Sequence, residues 1–332
     1  MKTLRSHAVG GPETLVLDDI KAPVAGAGEV VIDVRACAIN FPDTLIIRDL
    51  YQFRPERPFA PGGEVAGIIS AIGEGVDGFA VGDRVMSGVG HGGLSEQIAV
   101  SAQKVFPIPD SVAFEKAASL LLTYGTTIHG LKDRGHIKTG DTVLILGAAG
   151  GVGLSAIELS KAFGARVVAA VSSEEKGEVA RTAGADEVVI YPRGEMDKAA
   201  AKALTTAFKE ACGPDGANIV YDIVGGQYSE PALRAIAWEG RFLVVGFPAG
   251  IAKMPLNLTL LKSCDIAGVF WGAFTAREPQ KFQDQVAELF ALMEAGKINP
   301  LISETFSLER GGDAIAKLES RKAVGKLVVT MD

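Results

Sequence analysis

Between two apolar runs the chain sets four glycines, Gly147, Gly150, Gly151 and Gly153, in the stretch GAAGGVG. Glycine inside a strand or helix costs roughly 0.5–1 kcal/mol against alanine, so this cluster marks either a tight turn or a place where backbone must approach something closely. The spacing is Gly-x-x-Gly-x-x-Gly rather than Gly-x-Gly-x-x-Gly. It directly follows a strand pattern, DTVLIL (141–146), opens a helical pattern over 151–163, and leads into a second strand pattern, ARVVAAV (165–171). That strand–loop–helix–strand order is the context in which a glycine triplet reads as a dinucleotide site. Backbone N–H groups over Gly147, Gly150, Gly151, Val152 and Gly153 would face a pyrophosphate, and the helix N-terminus would add its partial positive charge. A β–α turn without a ligand is the plain alternative.

The end of the second strand bears on which dinucleotide. A site for NAD usually carries Asp or Glu there to accept from the ribose 2′-hydroxyl. This chain reads AAVSSEEK, with Ser172 and Ser173 in the place of the acid and Lys176 close behind. A small hydroxyl beside a cation suits a 2′-phosphate, and so NADPH. Glu174 and Glu175 leave a second reading open, in which they occupy Lys176 or sit by the ribose at an ordinary solvated helix start.

The elements that must position these residues fall into two textures. The first third is β-rich and full of glycine, with strand patterns at EVVIDVRACAIN (29–40), EVAGIISAIG (64–73), GDRVM (82–86) and LSEQIAV (94–100), which predicts a small barrel-like domain. From about residue 124 short apolar strands alternate with helical stretches. DEVVIY (186–191), ANIVYDIV (217–224), GRFLVVG (240–246) and DIAGVFW (265–271) join the two strands above, and six such strands predict an α/β fold with a doubly wound parallel sheet. Ligands bind such sheets at the carboxyl ends of the strands, which makes Val224, Gly246, Phe247, Phe270 and Trp271 candidate cofactor contacts. A helix near 282–295 and a last strand, GKLVVTM, are expected to return to the first domain. Of 332 residues 48% are hydrophobic and 22% charged, which is ordinary globular composition, and the net charge of −7 argues against a nucleic-acid surface. No apolar run is long enough to span a bilayer, and MKTLRSHAVGGPETL lacks the apolar core of a signal peptide. Cys37, Cys212 and Cys264 lie far apart, which fits a reducing cytoplasm better than a disulfide scaffold.

INFPDTLI, PGGEVAGIISAIGEGV, VGDRV, GAAGGVG and the closing VGKLVV occur in that order over the whole chain. Together they resemble the zinc-independent quinone oxidoreductases, the zeta-crystallin-like NADPH:quinone reductases of the medium-chain dehydrogenase/reductase superfamily. The resemblance implies a β-rich GroES-like catalytic domain (1–124 and 272–332) split around a Rossmann NADPH-binding domain (125–271). It also implies a homodimer joined through the last Rossmann strand. Zinc-dependent relatives would carry Cys at Asn40 and His at Gly63, and the cysteine-rich lobe is missing from 86–97. His7, His91, His129 and His136 show no ligand spacing either, so no metal is expected, although His91 in its glycine-rich stretch is placed to line a pocket.

By the same resemblance Asn40 and Asp43 lie at the nicotinamide and substrate end, Asn40 to hold a carboxamide or a substrate carbonyl, Asp43 either to act there or to hold a loop. Thr127 matches a position near the nicotinamide, with a hydroxyl bonded to its own helix as the alternative. Lys176, Tyr191 and Arg321 match contacts at the 2′-phosphate, with Lys322 as an alternative to Arg321 and a surface charge at the end of a terminal helix as its plain reading. Tyr51 stands where enoyl-thioester reductases of the superfamily carry a proton donor; stacking on substrate or anchoring a loop are its other readings. The expected function is zinc-free, NADPH-dependent hydride transfer to a quinone-type small-molecule acceptor. An α,β-unsaturated carbonyl or enoyl-thioester acceptor, and a non-catalytic nucleotide-binding role, are the alternatives.

Overall fold

The computed structural model describes residues 1–331 and divides into two compact units, Met1–Leu122 with the segment from Pro300 onward, and Thr123–Asn299.

The first unit is built round one long strand. Glu29–Ile39 is almost wholly buried and pairs antiparallel with three others: Glu64–Ile72, Gln97–Ser101 and the last strand, Lys326–Thr330. Val30 and Ile32 feed one apolar cluster; Val34, Cys37 and Ile39 feed another. Register shifts at Val31/Ile32 and Val34/Ala36 bend the strand, as bulges do where a sheet curls. Close approach is built in at Gly67, where a Cβ would lie 2.0 Å from the Asp33 carbonyl oxygen. As expected, the chain's last strand returns here, with Leu327 opposite Ile39 and Val329 opposite Cys37.

The second unit carries a six-stranded parallel sheet. Numbered along the chain, its strands lie in the order third, second, first, fourth, fifth, sixth. Thr142–Leu146 and Ala217–Asp222 pair at the centre, where apolar runs buried on both faces are what a covered parallel sheet requires. The helix Lys198–Cys212 turns Leu204, Phe208 and Cys212 onto one face, and Asp197 caps it by accepting from the Ala200 N–H at 2.7 Å. Several boundaries differ from the sequence reading. The fifth strand begins at Ile236, not 240. Residues 272–299 belong to this unit rather than to the first. The reason is a polar seam: Asp133 accepts from Gln285 (2.8 Å) and pairs with Lys281 (2.9 Å), while Lys132 pairs with Glu288 (2.7 Å). Buried Val286 and Leu289 give the same helix, Pro279–Glu294, its apolar face.

Candidate functional site

At the carboxyl end of Thr142–Leu146 the chain turns through Gly147, whose φ of +73° is left-handed, and Gly150 caps the helix Gly151–Ala162. The glycines divide their tasks. A Cβ on Gly153 would lie 2.4 Å from the Gly147 carbonyl oxygen, so this residue lets helix and turn close-pack. On Gly150 it would meet nothing nearer than 3.7 Å, so packing does not demand glycine there; its absence leaves the helix start open. The first helical bond runs from Leu154 N–H to Gly150 O (2.8 Å), which leaves the N–H groups of Gly151, Val152 and Gly153 pointing out of the helix end. Those open donors and that cradle fit a dinucleotide pyrophosphate.

The neighbouring strand ends close over this turn. A Cβ on Gly147 would touch Val224, and one on Gly225 would touch the backbone of Phe247. Buried Asp222 braces the loop by accepting from the N–H groups of Val224 (2.9 Å) and Gly225 (2.8 Å) and from the Ser229 hydroxyl; burial still pushes its carboxyl above the usual range. Gly246 N–H bonds back to Asp222 O, and Phe247 is half-exposed. Gly147, Val224, Gly246 and Phe247 are thus brought together. The sixth strand stops at Gly268, so Phe270 and Trp271 lie beyond it and do not end it; Trp271 instead opens a helix. Its indole Nε1 has no hydrogen-bond partner and packs where a Cβ on Gly125 would stand. Thr127 is fully buried, with its hydroxyl donating to Thr123 O (2.9 Å) and meeting the Ser155 and Tyr221 hydroxyls. That is the helix-hydroxyl alternative, and it leaves no exposed oxygen for a ligand.

At the end of the second strand Ser173 caps the helix Glu174–Thr182. Ser172 accepts from the Arg193 guanidinium at 3.3 Å. Lys176 is half-buried; burial first, and then the charge of Arg193, lower its pKa. Glu174 pairs with Arg181 (2.8 Å), and the Glu175 carboxylate acts on Lys176 in the opposite direction, raising its pKa. Tyr191 is buried against Tyr228, and its N–H bonds to Val171 O beside Ser172. Sequence reasoning missed Arg193; the signal was the turn-forming YPRG directly after the third strand.

In the first unit Asn40, Asp43, Glu64 and Lys326 form a cluster in which no residue is more than 5% exposed. The Asn40 amide is committed at both ends: Nδ2 donates to Glu64 (2.8 Å) and Ala38 O (3.2 Å), and Oδ1 accepts from Lys326 Nζ (2.6 Å). Lys326 also reaches Glu64 at 3.1 Å, and the other Glu64 oxygen accepts from Leu122 N–H. Asp43 accepts from the N–H groups of Asn40 (2.7 Å) and Gly62 (2.9 Å). Burial pushes its carboxyl up to about 6 against the pull of those donors and of Lys326. Tyr51 is half-buried against the same core, and burial, then the Asp43 carboxylate, raise its phenol. His91 stacks on Phe53 and meets Phe59 edge-to-face. Glu64 and Lys326 were also missed; each stands as a lone charge in an otherwise apolar strand.

Residues 26–110 match the family model for an alcohol dehydrogenase GroES-like domain, and 151–291 that for a zinc-binding dehydrogenase. Quinone oxidoreductase-like protein 2 of Bos taurus is 35% identical over 96% of this chain and 89% of its own length. The chain belongs to the quinone oxidoreductase family of the medium-chain dehydrogenase/reductase superfamily. Among solved members, the quinone oxidoreductase of Escherichia coli, complexed with NADPH, superposes with a TM-score of 0.90 at 28% identity over all of both chains. A mycobacterial protein, also complexed with NADPH, does so at 0.91 and 32% over all of both. The expected fold, a Rossmann sheet with a GroES-like β-rich domain, is the one observed. Within it Arg321 lies just past the helix Gly311–Glu319, at the left-handed φ of +59°.

Proposed function

We propose that the chain is an NADPH-dependent, zinc-free reductase of a quinone-type small-molecule acceptor. The observation that carries this reading is the end of the second Rossmann strand: Ser172 stands where an acid would meet the ribose, and the half-buried cation Lys176 opens the helix just behind it. Bound reduced nicotinamide supplies the hydride. The chain supplies the rest. Gly151, Val152 and Gly153 present N–H groups to the pyrophosphate, and Val224, Gly246 and Phe247 line the strand ends beside them. Phe270, Trp271, Tyr191 and Arg321 remain proposed cofactor contacts, and Thr127 a buried support. The 1–122/300–332 unit is the proposed catalytic domain and 123–299 the cofactor domain.

Asn40 and Asp43 act in this reading as positioning residues. Asp43 holds the backbone at Asn40 and Gly62, and Asn40 is clamped by Glu64 and Lys326. The same cluster supports the zinc-free reading. Asn40 is not a zinc ligand of the usual kind, and its amide oxygen already faces the Lys326 ammonium. A second reading, reduction of an α,β-unsaturated carbonyl or enoyl thioester, is favoured by Tyr51, whose raised phenol stays protonated and can donate. The edge strand Asp265–Gly268 is the proposed homodimer seam, because an unpaired edge invites pairing. The cytoplasm is the proposed location, in keeping with three free cysteines.

The test is NADPH oxidation against a panel of quinones, enals and enoyl-CoAs, with elemental analysis of the purified protein. The highest kcat/KM is expected for a quinone, with no stoichiometric zinc and no effect of chelators. An enoyl-CoA as best substrate, or one zinc per chain, would overturn the respective part.

A further inference from the structure

We propose that Arg193 is a specificity-determining residue which, together with Ser172 and Lys176, grips the 2′-phosphate of the dinucleotide. The inference rests on the NADPH reading above and names a residue that reading does not require. Arg193 sits on a short turn anchored on both sides. Tyr191 N–H bonds to Val171 O (2.9 Å) and the Tyr228 hydroxyl to Pro192 O (2.9 Å), and beyond it Gln227 binds both Gly194 O and the Met196 N–H. The backbone is therefore held while the guanidinium stays exposed.

That guanidinium donates to a neutral hydroxyl, Ser172 Oγ, at 3.3 Å, which is long for an N–H···O bond. Its charge also acts on the half-buried Lys176. Two cations close enough to act on each other repel. A phosphate monoester, with about −1.5 to −2 charge near neutral pH, relieves that repulsion and matches the guanidinium fork. Of the two neighbouring acids, Glu174 is held by Arg181, and Glu175 offsets only part of the positive charge at Lys176. NADH offers only a hydroxyl at this point, so the gain is confined to the phosphorylated cofactor.

The experiment is fluorescence titration of NADPH and NADH into the wild type, Arg193→Ala and Arg193→Lys. Displacement by 2′,5′-ADP and by 5′-AMP provides a readout independent of turnover. Arg193→Ala is expected to weaken NADPH and 2′,5′-ADP by about 10- to 100-fold, as for loss of a charge-assisted bond, while NADH and 5′-AMP change by less than about twofold. Arg193→Lys is expected to recover part of the loss, and the melting temperature to stay put because the side chain is exposed. If the wild type prefers NADPH and Arg193→Ala keeps the same preference, this inference fails and the NADPH reading stands. If the wild type shows no preference, both fail.

Discussion

Asp43→Asn tests the buried cluster through its pH dependence. The Asp43 carboxyl is raised from the usual 3.8 to about 6, with burial as the leading cause. In the unfolded chain it ionises near 3.8, so above pH 6 the folded protein carries a charge it holds less well than the unfolded chain does. A rise from 3.8 to about 6 corresponds to about 3 kcal/mol of lost stability near pH 8. As pH falls the folded state takes the proton first, so the penalty shrinks, to about 1 kcal/mol near pH 4.5, and is gone well below the unfolded value. Asparagine carries no charge at any of these pH values. It also presents an NH2 where Asp43 accepted from two backbone N–H groups, a fixed cost of about 1–3 kcal/mol. That cost drops out when two pH values are compared. Relative to wild type, Asp43→Asn is expected to lose about 2 kcal/mol of stability on going from pH 8 to pH 4.5. Urea unfolding of both proteins at both pH values measures this. A stability difference that is the same at both pH values to within about 0.5 kcal/mol would show that this carboxyl does not titrate near 6 in the folded protein.

Lys326→Met leaves the Glu64 carboxylate buried without its ammonium and is expected to cost about 3–5 kcal/mol at pH 8; adding Glu64→Gln should recover most of it, and a double variant no more stable than the single one would refute the ion-pair account. Gly153→Ala places a Cβ 2.4 Å from the Gly147 carbonyl oxygen, so the turn must open. A loss of about 1–3 kcal/mol and weaker binding of NADPH and NADH alike are expected, and unchanged titrations of both would show that the cradle tolerates the methyl. Tyr51→Phe removes the phenolic proton and keeps the ring. Turnover of the best quinone should fall less than about tenfold, because solvent can protonate an oxygen anion, whereas a loss of a hundredfold or more confined to enoyl substrates would favour the second reading.

Much of the cofactor end was legible in the linear sequence, because its determinants are local. A left-handed turn needs glycine at Gly147, a helix must start within a few residues of it, and the missing acid lies at the end of the very next strand. Apolar runs of strand length carry their own burial, so all six parallel strands and the returning last strand could be read, within a few residues at their ends. What the sequence left open depends on contacts between distant positions. Residues 272–299 join the parallel-sheet unit because Asp133 and Lys132 meet Gln285, Lys281 and Glu288 more than a hundred residues away. Arg193 becomes a partner of Ser172 only because the third strand lies beside the second. Asn40 reads as a free amide in the sequence. In the fold, strands 64–72 and 326–330 flank the strand that precedes it and bring Glu64 and Lys326 to either end of its side chain. A lone charge in an apolar strand signals that a partner exists, and only the sheet register identifies the partner, because a buried charge is stable only where the tertiary structure delivers its opposite.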